Sequence, residues 1–432
     1  MSTRTQAPAR RAPELRVLYA CLFVVMVGYG STLIVLPFHV QRVDALAGAS
    51  PDVVGFHVGM LTGVYALAQL VAGPLVGRLA DHLGYRATLL GGLGGLAATQ
   101  AAFGLTSSLP LLYALRFLGG TGAAALIVAA TLYVTDRTTE QDRTHGMAWF
   151  GTSISLGLIA GPAMAGVISR PRIDLRAGAF RIDGYSIPFL FSAALTATAL
   201  AYARHRLRSP FVPTDQLGPR DPHIEHPTAS LGVPRLRTLL GLVTASQYGL
   251  AIFEGTFVLY ARDRLSLDAG QTSIAFVVCG TVMALLQVPA SGLLAKIAAP
   301  ISQVAMGFAL MGGGIAALLI TTSYPVVLTM VAVLAGGAAL VIPNLSALVS
   351  VRSGRSTGVA LGWKTSAGSL GQFLGPVMGG ALVVRHADLP FLLAGALLVG
   401  LASAVAVGQQ RSHRRSRWPA RTSPPTERRD RR

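Results

Sequence analysis

Residues 155–166 read SLGLIAGPAMAG, and residues 369–380 read SLGQFLGPVMGG. Both stretches carry glycines four residues apart, followed by a proline, within long apolar segments. Small residues at this spacing lie on one face of a helix and let a second helix approach closely. The proline interrupts the helical hydrogen bonding. Because the pattern occurs twice, 214 positions apart, we predict that the chain is built from two related halves.

Other residues repeat at nearly the same offset, which supports duplication of a whole six-helix unit. Gly77 and Ala80 recur as Gly292 and Ala295. Thr106, Ser108, Pro110 and Gly122 recur 215 positions later as Thr321, Ser323, Pro325 and Gly337. Since six spans are an even number, both halves enter the membrane in the same orientation. The predicted symmetry axis therefore lies along the membrane normal.

The composition is that of a membrane protein. Of the 432 residues, 52% are hydrophobic and only 12% are charged, and the mean hydropathy is +0.55. Soluble proteins carry about 25% charged residues. The formal net charge of +18 would suggest a nucleic-acid partner in a soluble chain, but this composition argues against one.

Twelve segments are long and apolar enough to span a bilayer as helices. We therefore predict an all-α membrane protein with two pseudo-symmetric bundles of six transmembrane helices. The predicted spans are 14–37, 53–77, 85–106, 108–134, 144–169, 185–204, 236–261, 271–296, 300–322, 325–350, 358–384 and 388–408.

The distribution of positive charge predicts the orientation, because Lys and Arg are retained on the cytoplasmic side. With the N-terminus inside, 27 of the 36 positive residues are cytoplasmic. We expect both termini in the cytoplasm and the chain in the plasma (inner) membrane of a bacterium. The predicted parts are a cytoplasmic tail 1–13, bundles 14–204 and 236–408, a cytoplasmic linker 205–235 and a basic disordered tail 409–432.

Motifs for enzymatic chemistry or metal binding are weak or missing. Cys21 and Cys279 lie in apolar runs without further cysteines or histidines at ligand spacing. His223 and His226 are better explained as part of a solvated linker than as metal ligands. No GxxxxGK[ST] motif for ATP occurs. We expect no enzymatic activity and no cofactor or metal, with the proton gradient as the energy source.

Between the second and third spans, the chain has Gly77, Leu79, Ala80, Asp81, His82, Gly84, Tyr85 and Arg86. This pattern resembles a motif of the major facilitator superfamily, and in particular its twelve-span drug:proton antiporters. The resemblance covers residues 14–408. It implies a conformational latch in which Asp81 binds the start of span eleven and Arg86 pairs with Asp136. His82 and Tyr85 replace two arginines of the family pattern.

Two further motifs carry the same resemblance. In span four, Leu112, Arg116, Gly120, Gly122, Ala123 and Ala124 match a motif whose arginine is implicated in proton coupling. The glycine–proline pattern quoted first resembles the family's antiporter motif; its alternative explanation is a tight helix crossing that encodes no direction of transport. Its residues are Gly157, Gly161, Pro162 and Gly166 in span five and Gly371, Gly375, Pro376 and Gly380 in span eleven.

Glu254 is the one acid well inside a predicted span, which makes it a candidate proton carrier. The alternatives are a solvated position near the surface or a static partner for Arg116. Lys364 is expected to extend to the inner membrane surface. Six polar residues at membrane depth could line a substrate cavity or form hydrogen bonds between helices: Tyr29, Gln247, Tyr248, Gln287, Asn344 and Gln372.

Together these features predict a monomeric secondary transporter that exports a small amphiphilic or hydrophobic compound by alternating access, in exchange for protons. Its partners would be the small-molecule substrate, protons and the lipid bilayer. Span one weakens proton coupling, because it lacks the acid that many relatives carry there. A facilitator, an uptake symporter and a membrane sensor that no longer transports are the alternatives.

Overall fold

The computed structural model describes residues 13–43, 51–139, 142–168, 174–177, 180–207, 234–267, 269–294, 298–352, 357–383, 386 and 388–416. Most of the predicted linker 205–235 and the end of the predicted tail 409–432 lie outside the described residues. So does the predicted N-terminal tail up to residue 12.

Twelve α-helices follow one another in the described part of the chain, six on each side of the central gap, as predicted. They are α1 (Pro13–Gln41), α2 (Pro51–Leu83), α3 (Tyr85–Leu105), α4 (Leu109–Arg137), α5 (Arg143–Ile168), α6 (Ile187–Arg206), α7 (Leu236–Asp263), α8 (Ala269–Leu293), α9 (Pro300–Leu318), α10 (Tyr324–Arg352), α11 (Thr357–Val383) and α12 (Leu389–Ser416).

Nine of these helices contain a described segment long and apolar enough to cross a membrane by length and composition. Helix α8 holds a shorter apolar segment, Ile274–Ala290. Apolar side chains also cover the outside of the bundle, as with Leu285 and Leu293 of α8, which are 65% and 67% exposed. Large apolar side chains on the surface are expected where lipid is the solvent.

The two halves repeat the same helix packing. Helix α1 packs on α5 and α3 on α4 in the first half, as α7 packs on α11 and α9 on α10 in the second. The α3–α4 crossing brings Gly92 against Gly122, and the α9–α10 crossing brings Gly307 against Gly337. The sequence repeat already related Gly122 to Gly337. Gly92 and Gly307 are separated by the same 215 positions. The duplication therefore extends to the close backbone contacts.

One end of the bundle holds the start of α1, the end of α6, the start of α7 and the end of α12; we call it the terminal end. Glu14 at the start of α1 pairs with Arg137 at the end of α4, at 3.4 Å. Ser302 at the start of α9 hydrogen bonds to Gln409 of α12. The opposite end, which carries a β-hairpin, is called the hairpin end.

The halves meet mainly through α2 with α11 and α5 with α8. The Ser366 hydroxyl donates to the carbonyl of Leu70 at 2.6 Å, and Thr152 donates to the carbonyl of Ala284 at 3.3 Å. Helices α1 and α7 have no substantial contact with each other in the described part of the chain. The interface thus leaves a space between α1 and α7.

Two segments differ from their prediction. Helix α12 continues to Ser416, so the start of the segment 409–432 is helical rather than disordered. The physical reason is the sequence after residue 408, which is rich in Gln and Arg and contains no proline before Pro419. Within the basic loop between α5 and α6, β1 (Asp174–Ala177) and β2 (Phe180–Asp183) form an antiparallel hairpin.

Candidate functional site

Asp81 links the two halves at the terminal end. Its Oδ1 accepts a hydrogen bond from the backbone N–H of Gly358 at 2.9 Å, and Oδ2 accepts one from Val359 at 3.1 Å. Both donors belong to the first turn of α11, where helical N–H groups lack internal partners and the helix dipole favours a negative charge. The contact that the sequence predicted for Asp81 is therefore present.

Glycines allow this approach of α2 to α11. A Cβ atom on Gly77 would lie 2.9 Å from the Cα of Val359, and one on Gly362 would lie 3.2 Å from the Cα of Pro74. Contacts this short exclude any side chain. The two helices therefore pack backbone to backbone beside the Asp81 carboxylate.

The predicted partner of Arg86 is wrong. Arg86 donates to the backbone carbonyl of Arg204 at the end of α6, at 3.2 Å. Asp136 points outward, is 59% exposed and pairs with its neighbour Arg137 at 3.6 Å. The physical reason is helical geometry, because position 136 lies on an exposed side of α4, whereas the end of α6 lies within hydrogen-bond reach of Arg86.

The sequence analysis gave no role to Glu14, whose carboxylate binds the end of α4 at the terminal end of the bundle. The hydroxyl of Tyr133 donates to Glu14, and Arg137 pairs with the same carboxylate. Tyr85 packs edge-on against Tyr133, with 4.8 Å between ring centroids. Glu14 had been assigned to the first residues of span one and given no role.

The glycine–proline motif forms close helix crossings within each half. A Cβ on Gly161 would lie 2.7 Å from the Ser31 backbone nitrogen, and one on Gly375 would lie 2.9 Å from the Ala251 carbonyl carbon. Ser31 also donates to the Gly161 carbonyl at 2.9 Å. Gly157 and Gly371 make equivalent contacts with α1 and α7. Pro162, Gly166, Pro376 and Gly380 lie on the same helices.

Arg116 of α4 is buried, with a relative exposure of 8%. Its guanidinium carbon lies 4.8 Å from the ring centre of Phe103 and 5.7 Å from that of Tyr65. The Nε and Nη2 atoms have no hydrogen-bond partner. Among the described residues no carboxylate pairs with this cation, so the predicted alternative of a static Glu254–Arg116 pair is excluded.

Glu254 lies along α7, away from both ends of the helix, and it is exposed. It is close enough to Tyr29 of α1, in the other half, for the two groups to interact electrostatically. Tyr29 interacts in the same way with Arg116. Glu254 therefore lies near Tyr29 of the other half, and Tyr29 in turn lies near the buried arginine.

The other cavity candidates divide into accessible and buried groups. Gln372 is exposed and Gln247 is partly exposed, whereas Tyr248 is buried. Gln287 is 1% exposed and packs on the backbone of Gly151 in the interface between α8 and α5. The prediction that Asn344 lines the cavity is wrong. Its side chain is buried, with 1% exposure, and its Nδ2 donates a hydrogen bond to Gln303 Oε1 at 3.0 Å. Its role is the hydrogen bond between helices that the sequence left open.

The prediction that Lys364 extends to the membrane surface is also wrong. Its Nζ lies 5.9 Å from the ring centre of Phe150, which is buried on α5 in the first half. Lys364 lies two helical turns after the start of α11. At this position the helix faces the interface between the halves. The ammonium group therefore points across this interface.

Twelve helices in two similar halves, a carboxylate contact between the halves and charged groups around the intervening space are features of a multi-pass membrane transporter. The Major Facilitator Superfamily model matches residues 18–376. The chain belongs to this superfamily.

Similar proteins include drug-resistance proteins of bacteria. Multidrug resistance protein 2 of Bacillus subtilis (strain 168) is 26% identical over 399 residues, which covers 89% of this chain and 92% of that protein. The class E tetracycline resistance protein of Escherichia coli is 28% identical over 364 residues, covering 83% and 84%. The human organic anion transporter MFSD10 (TETRAN) superposes with a TM-score of 0.75 at 19% identity, covering 93% of this chain and 100% of that one. This last likeness concerns the fold alone.

Proposed function

We propose that the protein exports small amphiphilic or hydrophobic compounds across a bacterial plasma membrane, by alternating access and in exchange for protons. The terminal end is then cytoplasmic, in agreement with its excess of positive charge. The observation that carries the proposal is the asymmetry between the two ends. Asp81 joins the halves at the terminal end, while Glu254 remains exposed between α1 and α7.

Glu254 is the proposed proton carrier. It is the acid in the described helices that lies far from both helix ends, and a charge at this depth is unfavourable unless it faces water or a partner. In the conformation described here Glu254 is exposed and Asp81 joins the halves at the terminal end, so the proposed route for the proton is from the opposite, hairpin end. A proton would bind there as substrate leaves, and opening of the latch would release it into the cytoplasm.

The proton-motive force is sufficient for this exchange. One charge crossing a membrane potential of 100 mV provides about 2.3 kcal/mol. At about 1.36 kcal/mol for each factor of ten, this supports a gradient of roughly fifty-fold for a neutral substrate. The drug-resistance proteins among the relatives support compounds such as tetracyclines as the first substrates to test.

The decisive experiment uses purified protein in liposomes loaded with a fluorescent amphiphilic drug. Counterflow of labelled drug without a gradient separates a transporter from a sensor. An imposed pH gradient then separates antiport from facilitation and symport, because only antiport drives the drug against the direction of proton flow.

Glu254→Gln tests the carrier, with Asp388→Asn as a matched control, since Asp388 is a partly exposed acid at the hairpin end. We expect Glu254→Gln to keep counterflow but lose the response to the pH gradient, and Asp388→Asn to keep both. An unchanged pH response in Glu254→Gln removes Glu254 from the mechanism.

A further inference from the structure

A small recess lies beside Arg116 in the first half of the protein. Residues of α1, α2, α3, α4 and α6 enclose it, and it is partly open. Tyr29, Tyr65, Thr99 and Gln100 contribute polar groups, whereas none of the lining residues is acidic. The recess has a volume of about 20 Å³, far below what a drug-sized molecule needs, so only a small polar group of a ligand can enter it.

The unpartnered atoms of Arg116 define what the recess can bind. Nε and Nη2 share one edge of the planar guanidinium, and both lack a hydrogen-bond partner. Their two N–H groups on that edge point in parallel, which is the geometry that binds the two oxygens of a carboxylate. Phe103 and Tyr65 flank the guanidinium. These rings stabilise the cation and leave its hydrogen bonds unsatisfied.

A buried cation without a counter-ion is unfavourable at membrane depth. Glu254 does not pair with Arg116 in the described conformation, which leaves the cation available to an anion from solution. The rings of Tyr29 and Tyr65 lie 5.4 Å apart at the recess. Tyr29 also interacts electrostatically with Glu254. Because the recess is partly open, the apolar part of a bound ligand would extend outside it.

We infer that Arg116 and its recess form a carboxylate-binding subsite, so that amphiphilic compounds with a carboxylate group are preferred substrates. The inference rests on the proposed transport function for its physiological meaning. Its test is a binding equilibrium, so a failure to transport and a failure to prefer carboxylates are separate results.

The probes are three biphenyl compounds of nearly equal size: 4-biphenylacetate, its neutral amide, and the cationic 4-biphenylmethylammonium. Isothermal titration calorimetry on the purified full-length protein in detergent measures their affinities. We expect the carboxylate to bind about tenfold or more tightly than the amide, as charge-assisted hydrogen bonds contribute more than neutral ones. The cation should bind more weakly than the amide.

Arg116→Gln should abolish the preference for the carboxylate, and Arg116→Lys should keep only part of it, because an ammonium lacks the two-donor edge. Arg264→Gln is the matched control: it removes an equal charge from a half-exposed arginine paired with Asp388 at 3.6 Å, and should retain the full preference. Thermal unfolding verifies that each variant is folded.

Gly119→Val provides a second route that leaves the charge in place. Gly119 lines the recess, and a Cβ there would make ordinary contacts of 3.4 Å with Thr99 and 3.6 Å with Tyr65. Filling the recess should weaken carboxylate binding about tenfold, and thermal unfolding verifies that this variant is folded. Equal affinity of wild-type protein for the carboxylate and the amide, or a preference that survives both Arg116→Gln and Gly119→Val, overturns the inference.

Discussion

The carboxylate of Asp81 accepts a hydrogen bond from the backbone N–H of Gly358 at 2.9 Å, across the boundary between the two halves of the chain. Its second oxygen accepts from the next N–H of the same helix turn. The negative charge of Asp81 lies at the N-terminus of α11, where the helix dipole favours it. Gly358 has no side chain that could compete for the carboxylate. Opening of the terminal end must break both bonds.

Asp81→Asn should therefore shift the protein towards opening at the terminal end. The amide keeps one acceptor oxygen but loses the charge and presents N–H groups to a second N–H donor. Hydrogen bonds to charged groups contribute about 1.5–3 kcal/mol each. Nitroxide labels on Arg78 of α2 and Leu293 of α8, which are both exposed, report the separation of the halves by double electron–electron resonance.

Asp136→Asn is the control for this experiment. Asp136 is 59% exposed and pairs only with its neighbour Arg137 among the described residues. Its replacement should leave the label distances unchanged. Identical distance distributions in Asp81→Asn and the wild-type protein would show that Asp81 does not hold the end closed.

The contrast between Asp81 and Arg86 illustrates what sequence can predict at this site. The family resemblance implied the contact of Asp81, and this contact needs only backbone N–H groups, which exist at every helix start. The partner of Arg86 depends on the rotation of α4 and α6 about their own axes. Periodicity does not determine such a rotation in helices that are apolar on all sides.

The same limit explains Asn344 and Lys364. Both lie in strongly apolar helices, where hydropathy fixes the existence and length of the span but not the side that faces a neighbouring helix. The hairpin was missed for another reason. Its strands have four residues each, so their alternation is short; the Gly178-Ala179 pair between them was the available signal.

Gly161→Ala should destabilise the first half through the α1–α5 crossing. The added Cβ would lie 2.7 Å from the Ser31 nitrogen and 2.8 Å from the Gly30 carbonyl carbon. Because these atoms belong to the backbone, the helices must separate, at about 1–3 kcal/mol. Thermal unfolding in detergent measures the loss.

Gly91→Ala on α3 is the matched control, since nothing lies within 4 Å of a Cβ at that position. Alanine has the higher helix propensity, by about 1 kcal/mol, so this variant should be as stable as the wild-type protein or more so. A Gly161→Ala protein as stable as Gly91→Ala would contradict the close crossing.

The contact between Lys364 and Phe150 predicts an energetic coupling between the halves. We expect Lys364→Met and Phe150→Leu to destabilise the protein less in combination than the sum of the single effects. The predicted coupling is about 0.5–2 kcal/mol. A double-mutant cycle on the free energy of unfolding in mixed micelles measures it.

An equivalent cycle on Arg206 and Tyr202 is the control. Arg206 lies 5.9 Å from the Tyr202 ring centre on the surface of α6, so solvent screens this pair and its coupling should be smaller. If Lys364 and Phe150 are additive within error, the lysine does not interact with the ring across the interface.

His39 lies at the hairpin end of α1, beyond the predicted span 14–37. It is 6% exposed, its Nε2 bonds to the Phe103 carbonyl at 3.1 Å, and its Nδ1 has no partner. Burial lowers the pKa of His39 from 6.5 to about 4, which outweighs the opposing effect of Asp183.

This pKa makes the stability of the hairpin end dependent on pH. The unfolded chain binds a proton at His39 near pH 6.5, while the folded protein does not until about pH 4. The neutral form therefore stabilises the fold fully above pH 6.5, and this contribution falls as the pH drops from 6.5 towards 4. The change is at most about 1.4 kcal/mol per pH unit.

His39→Gln, which cannot be protonated, should reduce the pH dependence of the melting temperature in that interval. At pH 8 the variant should be less stable than the wild-type protein, because it loses the ring contacts with Phe103 and Phe189. The difference between the two proteins should therefore shrink as the pH falls. A constant difference between pH 8 and pH 4 would mean that His39 does not titrate with folding.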